Sequence, residues 1–168
     1  MKGRVYLFGD DINTDVIYPG KYLSITTDRG EMAKHCFEAV YPEFLKTAQR
    51  GDIIVAGKNF GCGSSREQAA TCLKYFGVAA VVAESFARIF YRNAINLGLP
   101  VLIAKGIKGF TEHGQTLEVD LVSGAIRNTE TGGSMTAQGV PEFVLEILTS
   151  GGLIPYLRKK LGIAGQEV

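Results

Sequence analysis

Apolar residues along the chain fall into short continuous runs, separated by stretches that repeat at helical spacing. Arg4-Val5-Tyr6-Leu7-Phe8 reads as a strand closed by Gly9-Asp10-Asp11. Asp52 to Gly57, Val78 to Ala83 and Leu99 to Ala104 are three further compact apolar runs. Between them, Ala69, Cys72, Leu73 and Phe76 step at i, i+3, i+4 and i+7, and Ile89 to Leu97 gives a second helical pattern. Gly77 and Gly98 stop these helices. Strands apolar throughout, alternating with helices, predict a parallel sheet covered on both faces.

Beyond Gly109 the pattern changes. Thr116 to Val122 alternates polar and apolar positions, as a half-exposed antiparallel strand does, with Ala125–Thr129 and Ser134–Ala137 as hairpin partners. Pro141 opens a helix carrying Phe143, Val144, Ile147 and Leu148, and Gly151-Gly152 ends it. Residues 28–46 hold Met32, Cys36, Phe37, Val40 and Phe44 at loose helical spacing, interrupted by Pro42. The expected architecture is one α/β domain spanning 1–168, with a parallel central sheet and additional antiparallel hairpins.

Charge and cysteine content narrow the function. Eighteen basic and seventeen acidic residues leave a net charge of +1, which excludes a basic field for nucleic acid or an anionic membrane. No apolar run suits a signal peptide or a membrane span, so a soluble, cytoplasmic protein is expected. Three cysteines, at 36, 62 and 72, form no C-x-x-C pair, and His35 and His113 lie far apart in sequence. Neither a disulfide framework nor a metal site within this chain is expected.

The informative stretch is Gly61-Cys62-Gly63-Ser64-Ser65-Arg66-Glu67, joining a buried strand to a helix. It lacks the Gly-Lys-Ser/Thr of a P-loop, the third glycine of a dinucleotide fingerprint and the flanking glycines of a nucleophile elbow. What remains is a helix N-terminus offering free N–H groups, two hydroxyls and a guanidinium that can fork onto a carboxylate. That combination suits proton abstraction next to a carboxylate. The structural alternative is that Ser64 with Glu67, or Ser65 with Gln68, forms a capping box, with Arg66 a surface charge.

Phe60-Gly61-Cys62-Gly63-Ser64-Ser65-Arg66-Glu67 resembles the swivelling domain of the aconitase superfamily, in its separate small-subunit form. Phe8-Gly9-Asp10-Asp11-Ile12-Asn13-Thr14-Asp15 resembles the family's N-terminal motif, and Ser85 to Ala94 followed by Asn96 to Pro100 its central one. The resemblance implies a swivelling β/β/α fold and a hydro-lyase that moves a hydroxyl between adjacent carbons. It implies a large-subunit partner carrying a [4Fe–4S] cluster. By motif match, Ser64 resembles the catalytic base, Ser65 a neighbouring hydroxyl donor, Arg66 the carboxylate clamp and Asp15 an active-site aspartate. Gln68 stands where aconitases usually carry histidine.

Tyr22-Leu23-Ser24-Ile25 resembles the family's substrate-discriminating loop, in which homoaconitase-type members place an arginine at the position of Ser24. Serine between Leu23 and Ile25 suits an isopropyl or methyl substituent, because a third carboxylate buried without a cation is costly. Isopropylmalate is therefore expected over homocitrate, with dimethylmalate as an alternative. Lys21 or Arg29 would be the cations able to compensate. The rival from another class is a non-catalytic anion-binding module that uses the same helix N-terminus.

Overall fold

The computed structural model describes residues 1–163. Along the chain run β1 (Lys2–Leu7), α1 (Thr14–Ile17), a 3-10 turn (Gly20–Tyr22), α2 (Arg29–Ala33), α3 (Pro42–Thr47), β2 (Ile53–Ala56), α4 (Glu67–Phe76) and β3 (Ala80–Ala83). There follow α5 (Arg88–Leu97), β4 (Val101–Ile103), α6 (Ile107–Phe110), β5 (Thr116–Val119), β6 (Ala125–Asn128), β7 (Ser134–Thr136), α7 (Glu142–Thr149) and α8 (Leu153–Leu161).

Among the described residues, seven strands form one sheet in the order β4-β3-β2-β1-β5-β6-β7. The first four are parallel and the last three pair antiparallel, so the predicted parallel centre with added hairpins is what forms. The changeover happens within β1. Its first half pairs antiparallel with β5 (Lys2 with Glu118), and its second half pairs parallel with β2 (Val5 with Ile53).

Alternation along the parallel strands feeds two cores. Tyr6, Ile54, Ala56 and Val81 face the layer of α4, α5 and α7, with Phe8, Phe37, Phe44, Phe60 and Phe90. Val5, Ile53, Val55, Val82 and Leu102 face the other side, where Leu117, Ile126 and Ile107 cover them. Burial on both faces is why these strands read as unbroken apolar runs.

One predicted element forms differently, and one segment with no predicted element forms a helix. The helical spacing over 28–46 is divided into α2 and α3 by a run of turns in which Phe37 takes a left-handed φ of 58°. The segment after Gly152 is a helix, α8, with Pro155 in its first turn, where a missing N–H breaks no bond.

Candidate active site

The site lies beyond the C-terminal ends of the parallel strands, where open α/β sheets place their ligands. Here the sheet order continues past the strands themselves. The β2 exit runs between the other two exits, bridging Phe60 to Phe86 after β3 and Cys62 to Asn13 after β1. Gly61 donates its N–H to Ile12 O at 2.7 Å, and Phe60 donates to Ser85 O at 3.0 Å. Gly61 has a φ of +79°, and a Cβ there would run into Phe90. Phe90 is 1% exposed and packs edge-on against Phe60.

The β1 exit fixes the serine loop from the side. Asn13 caps α1, its side chain accepting from the Val16 N–H at 2.8 Å. Thr14, buried, donates its N–H to Cys62 O at 2.8 Å and its hydroxyl to Ser64 O at 3.1 Å. The Ser64 carbonyl also accepts the Arg66 N–H at 2.8 Å. Two donors on one carbonyl fix the Ser64 peptide plane, and with it the direction in which the side chain leaves.

Ser64 and Ser65 are exposed on the rim of this junction. The capping-box alternative does not form. α4 begins at Glu67, its N-cap is Arg66 in extended conformation with no side-chain cap bond, and its third residue is Ala69 rather than an acid or amide. No side chain therefore caps the N-terminus of α4. Arg66 is no surface charge either. Its side chain is 22% exposed, and Nη1 is paired with Asp15 Oδ1 at the start of α1. The structure thus brings Asp15, Ser64, Ser65 and Arg66 to one place.

Ser24 sits one step away, in the turn after the 3-10 segment. Gly20, the first residue of that segment, lies against the clamp, since a Cβ on it would stand 3.2 Å from Arg66 Nη1 and 3.4 Å from Asp15 Oδ1. Ser24 and Ile25 are exposed. The two candidate cations nearby are both engaged. Lys21 Nζ lies 3.8 Å from Glu38 Oε1 and over the Tyr22 ring, and Arg29 Nη1 donates to Tyr75 OH at 2.7 Å.

Two other titratable groups lie on the same exits. Asp10 accepts from the Lys58 N–H and Lys108 Nζ, both at 3.0 Å, and the Lys108 bond followed by the Lys58 N–H holds its carboxyl below the ordinary range. The half-buried Cys62 thiol is pushed up, first by burial and then by the charge of Asp11. Cys36 and Cys72 are buried. Among the described residues, no group of three or more His, Cys, Asp or Glu side chains is placed to hold a metal ion. A hollow of about 590 Å³ lined by Met1, Lys2, Asp120 and Arg127 lies on the antiparallel half, away from Ser64. The site itself is an open rim.

Sequence reasoning missed Thr14 and Gly20. Thr14 reads as a turn residue, and nothing local says that its hydroxyl reaches a carbonyl fifty residues later.

The chain matches the Aconitase C-terminal domain family over residues 11–106. It is 52% identical over 160 residues to 3-isopropylmalate dehydratase small subunit 1 of Methanopyrus kandleri, covering 95% of this chain and 94% of that one. Against the methanogen homoaconitase small subunit of Methanothermobacter thermautotrophicus the identity is 50%, over 99% of this chain and 97% of the relative. A crystal structure of 3-isopropylmalate dehydratase from Methanocaldococcus jannaschii superposes with a TM-score of 0.90 at 48% identity, covering 96% of this chain and 95% of that one. No helix of the described residues is long and apolar enough to cross a membrane. With a matched domain spanning more than half its length and near-full-length relatives at half identity, this chain belongs to the aconitase family.

Proposed function

We propose that this chain is the small subunit of a hydro-lyase that interconverts 2-isopropylmalate and 3-isopropylmalate by dehydration and rehydration, a step of leucine biosynthesis, and that it acts only with a large subunit. The observation that carries the reading is the exposed Ser64 hydroxyl at the uncapped N-terminus of α4, beside an arginine held in place by Asp15. The match to small subunits over nearly the full chain supports it, as does a site left open for a partner to cover.

Ser64 Oγ, as the alkoxide, takes the proton from the carbon next to a substrate carboxylate, and returns it from the hydroxyl in the reverse step. The free N–H groups of α4 and the Arg66 guanidinium stabilise that negative oxygen, more strongly once a partner excludes water. Arg66 grips the carboxylate, Ser65 donates to its oxygens, and Asp15 orients the guanidinium. A [4Fe–4S] cluster would supply the Lewis acid for the departing hydroxide. The reading assigns its ligands to the large subunit, as the aconitase family match implies.

The pairing of Lys21 with Glu38 favours isopropylmalate over a tricarboxylate, because that cation is already matched to a carboxylate. Arg29 bonds the neutral Tyr75 hydroxyl and keeps its charge, so a homocitrate-type acid belongs in the test. The test is turnover of the reconstituted two-subunit complex on isopropylmalate, dimethylmalate, citramalate and homocitrate-type acids, with Ser64→Ala alongside. Isopropylmalate should be the best substrate, and the variant should assemble but lose roughly 10²–10⁴-fold in kcat. A near-normal rate for Ser64→Ala would remove the base assignment.

A further inference from the structure

The segment carrying Ser24 is short, and both of its ends are fastened. Downstream, Asp28 caps α2, accepting from the Glu31 N–H at 2.8 Å, while its own N–H donates to Thr26 Oγ1 at 3.0 Å. Arg29 then ties α2 to Tyr75 on α4. Upstream, the 3-10 turn has no buried residue, and its backbone bonds are all local: Tyr22 N–H to Pro19 O at 3.1 Å, Leu23 N–H to Gly20 O at 3.2 Å and Ile25 N–H to Tyr22 O at 3.1 Å. Such a turn does not hold its own orientation.

Side chains from the linker between α2 and α3 supply the hold. The Tyr22 ring stacks on His35, with centroids 3.7 Å apart and 17° between planes. The Tyr22 hydroxyl donates to Glu38 Oε1 at 2.9 Å, and the other oxygen, Oε2, lies 2.7 Å from His35 Nδ1. Lys21 Nζ closes the cluster, 4.7 Å from the Tyr22 centroid and 3.8 Å from Glu38 Oε1. Burial opposes charge on Glu38, but its bonds to Tyr22 and His35 and the Lys21 charge outweigh that and hold its carboxyl below the usual range. At the opposite end of the same three-residue turn, Gly20 rests against Arg66 and Asp15. The turn therefore connects the Glu38 cluster, the carboxylate clamp and the Ser24 loop.

We propose that Glu38, acting through Tyr22 and His35, is a positioning residue that sets the Ser24 loop against the Arg66 clamp and so tunes substrate affinity and choice. This rests on reading the Ser24 loop as the substrate-discriminating one. Glu38 touches no reacting atom in this scheme; it fixes the turn from which the loop departs.

The experiment uses the complete two-subunit enzyme with Glu38→Gln, Tyr22→Phe, the double variant and Ser24→Arg, measuring kcat and KM for 2-isopropylmalate and a homocitrate-type acid. Each single latch variant should raise KM for isopropylmalate about three- to tenfold, the equivalent of one lost hydrogen bond, with kcat within about twofold. The ratio of kcat/KM between the two acids should narrow. The double variant should fall well short of the two single losses combined, because both act on the Tyr22–Glu38 bond: Tyr22→Phe deletes its donor and Glu38→Gln removes the charge from its acceptor. Tyr22→Phe deletes only a hydroxyl and stands in should Glu38→Gln fold poorly. Unchanged KM in both, or a loss confined to kcat, overturns the inference. If Ser24→Arg shifts selectivity while the latch variants leave KM alone, the loop reading survives and the latch does not. If Ser24→Arg leaves selectivity untouched, the loop reading falls and takes the inference with it.

Discussion

Replacing Gly61 by alanine perturbs the β2 exit where backbone and core press closest, and two separate effects set the size of the loss. The first is conformational: at a φ of +79° an alanine is strained by about 1–2 kcal/mol. The second is steric. The new methyl would overlap the Cβ and ring of Phe90, which is 1% exposed and hemmed in by Phe60 at 5.2 Å and Phe86 at 6.2 Å. Overpacking of that kind costs about 1–3 kcal/mol. Together they cost roughly 2–5 kcal/mol, a large share of the ~5–15 kcal/mol that holds a domain folded. At about 2–4 °C per kcal/mol for a chain of this length, Tm should fall by about 4–20 °C. Gly63→Ala is the matched control. Its φ of +90° brings the same strain, but the nearest atoms to its Cβ are Asn13 Cβ at 3.5 Å and Thr14 Oγ1 at 3.6 Å, which is ordinary contact. That variant should lose only about 1–2 kcal/mol, or about 2–8 °C. Thermal unfolding of both chains by circular dichroism, in one buffer, decides the matter. Equal midpoints would refute the overlap with Phe90 as the main source of the loss.

Three further outcomes are expected. Arg66→Lys should raise KM and lower kcat together, because an ammonium cannot reproduce a fork that grips a carboxylate while paired with Asp15; unchanged steady-state kinetics would take Arg66 out of the clamp. Thr14→Val should lower kcat about three- to tenfold by taking one of the two donors from the Ser64 carbonyl, while Thr14→Ser stays near wild type. Equal losses in the two would point to packing instead of the hydroxyl. For Cys62, burial and then the Asp11 charge raise the thiol pKa, so less thiolate is present at any given pH. Removing that charge in Asp11→Asn should lower the pKa and speed iodoacetamide labelling of Cys62 at pH 8, and asparagine tolerates the φ of 54° at this position. Labelling no faster than wild type would remove Asp11 as a cause.

How much of this was legible depends on how local the determining contact is. The parallel strands and α4 and α5 announce themselves because burial on both sheet faces makes β2 and β3 apolar throughout, and because each of the two helices buries one stripe and stops at a glycine. Residues 28–46 misled because Met32, Cys36, Phe37 and Phe44 are all buried, yet reach the core from two short helices and intervening turns. The latch of Tyr22, His35 and Glu38 offered no pattern, since a stacked ring pair joins a 3-10 turn to a turn-rich linker, two segments without periodicity.

The serine loop shows the limit most clearly. Spacing alone gives Ser64 and Ser65 a capping role, and a side-chain cap would stabilise α4 by about 1 kcal/mol. The chain gives up that stabilisation. What overrides it comes from far away in sequence: Thr14 draws the Ser64 carbonyl toward α1, and Asp15 draws the Arg66 side chain the same way. Arg66 therefore stays extended, the helix starts one residue too late for Ser65 and two too late for Ser64 to turn back on it, and both serines are exposed. A helix end stripped of its own cap and edged by a guanidinium is weaker as structure and stronger as a place for an anion. The same two contacts that spoil the capping box bring Asp15 and Arg66 to the serine loop, and the proposed chemistry of the motif depends on the fold placing Thr14 and Asp15 against it.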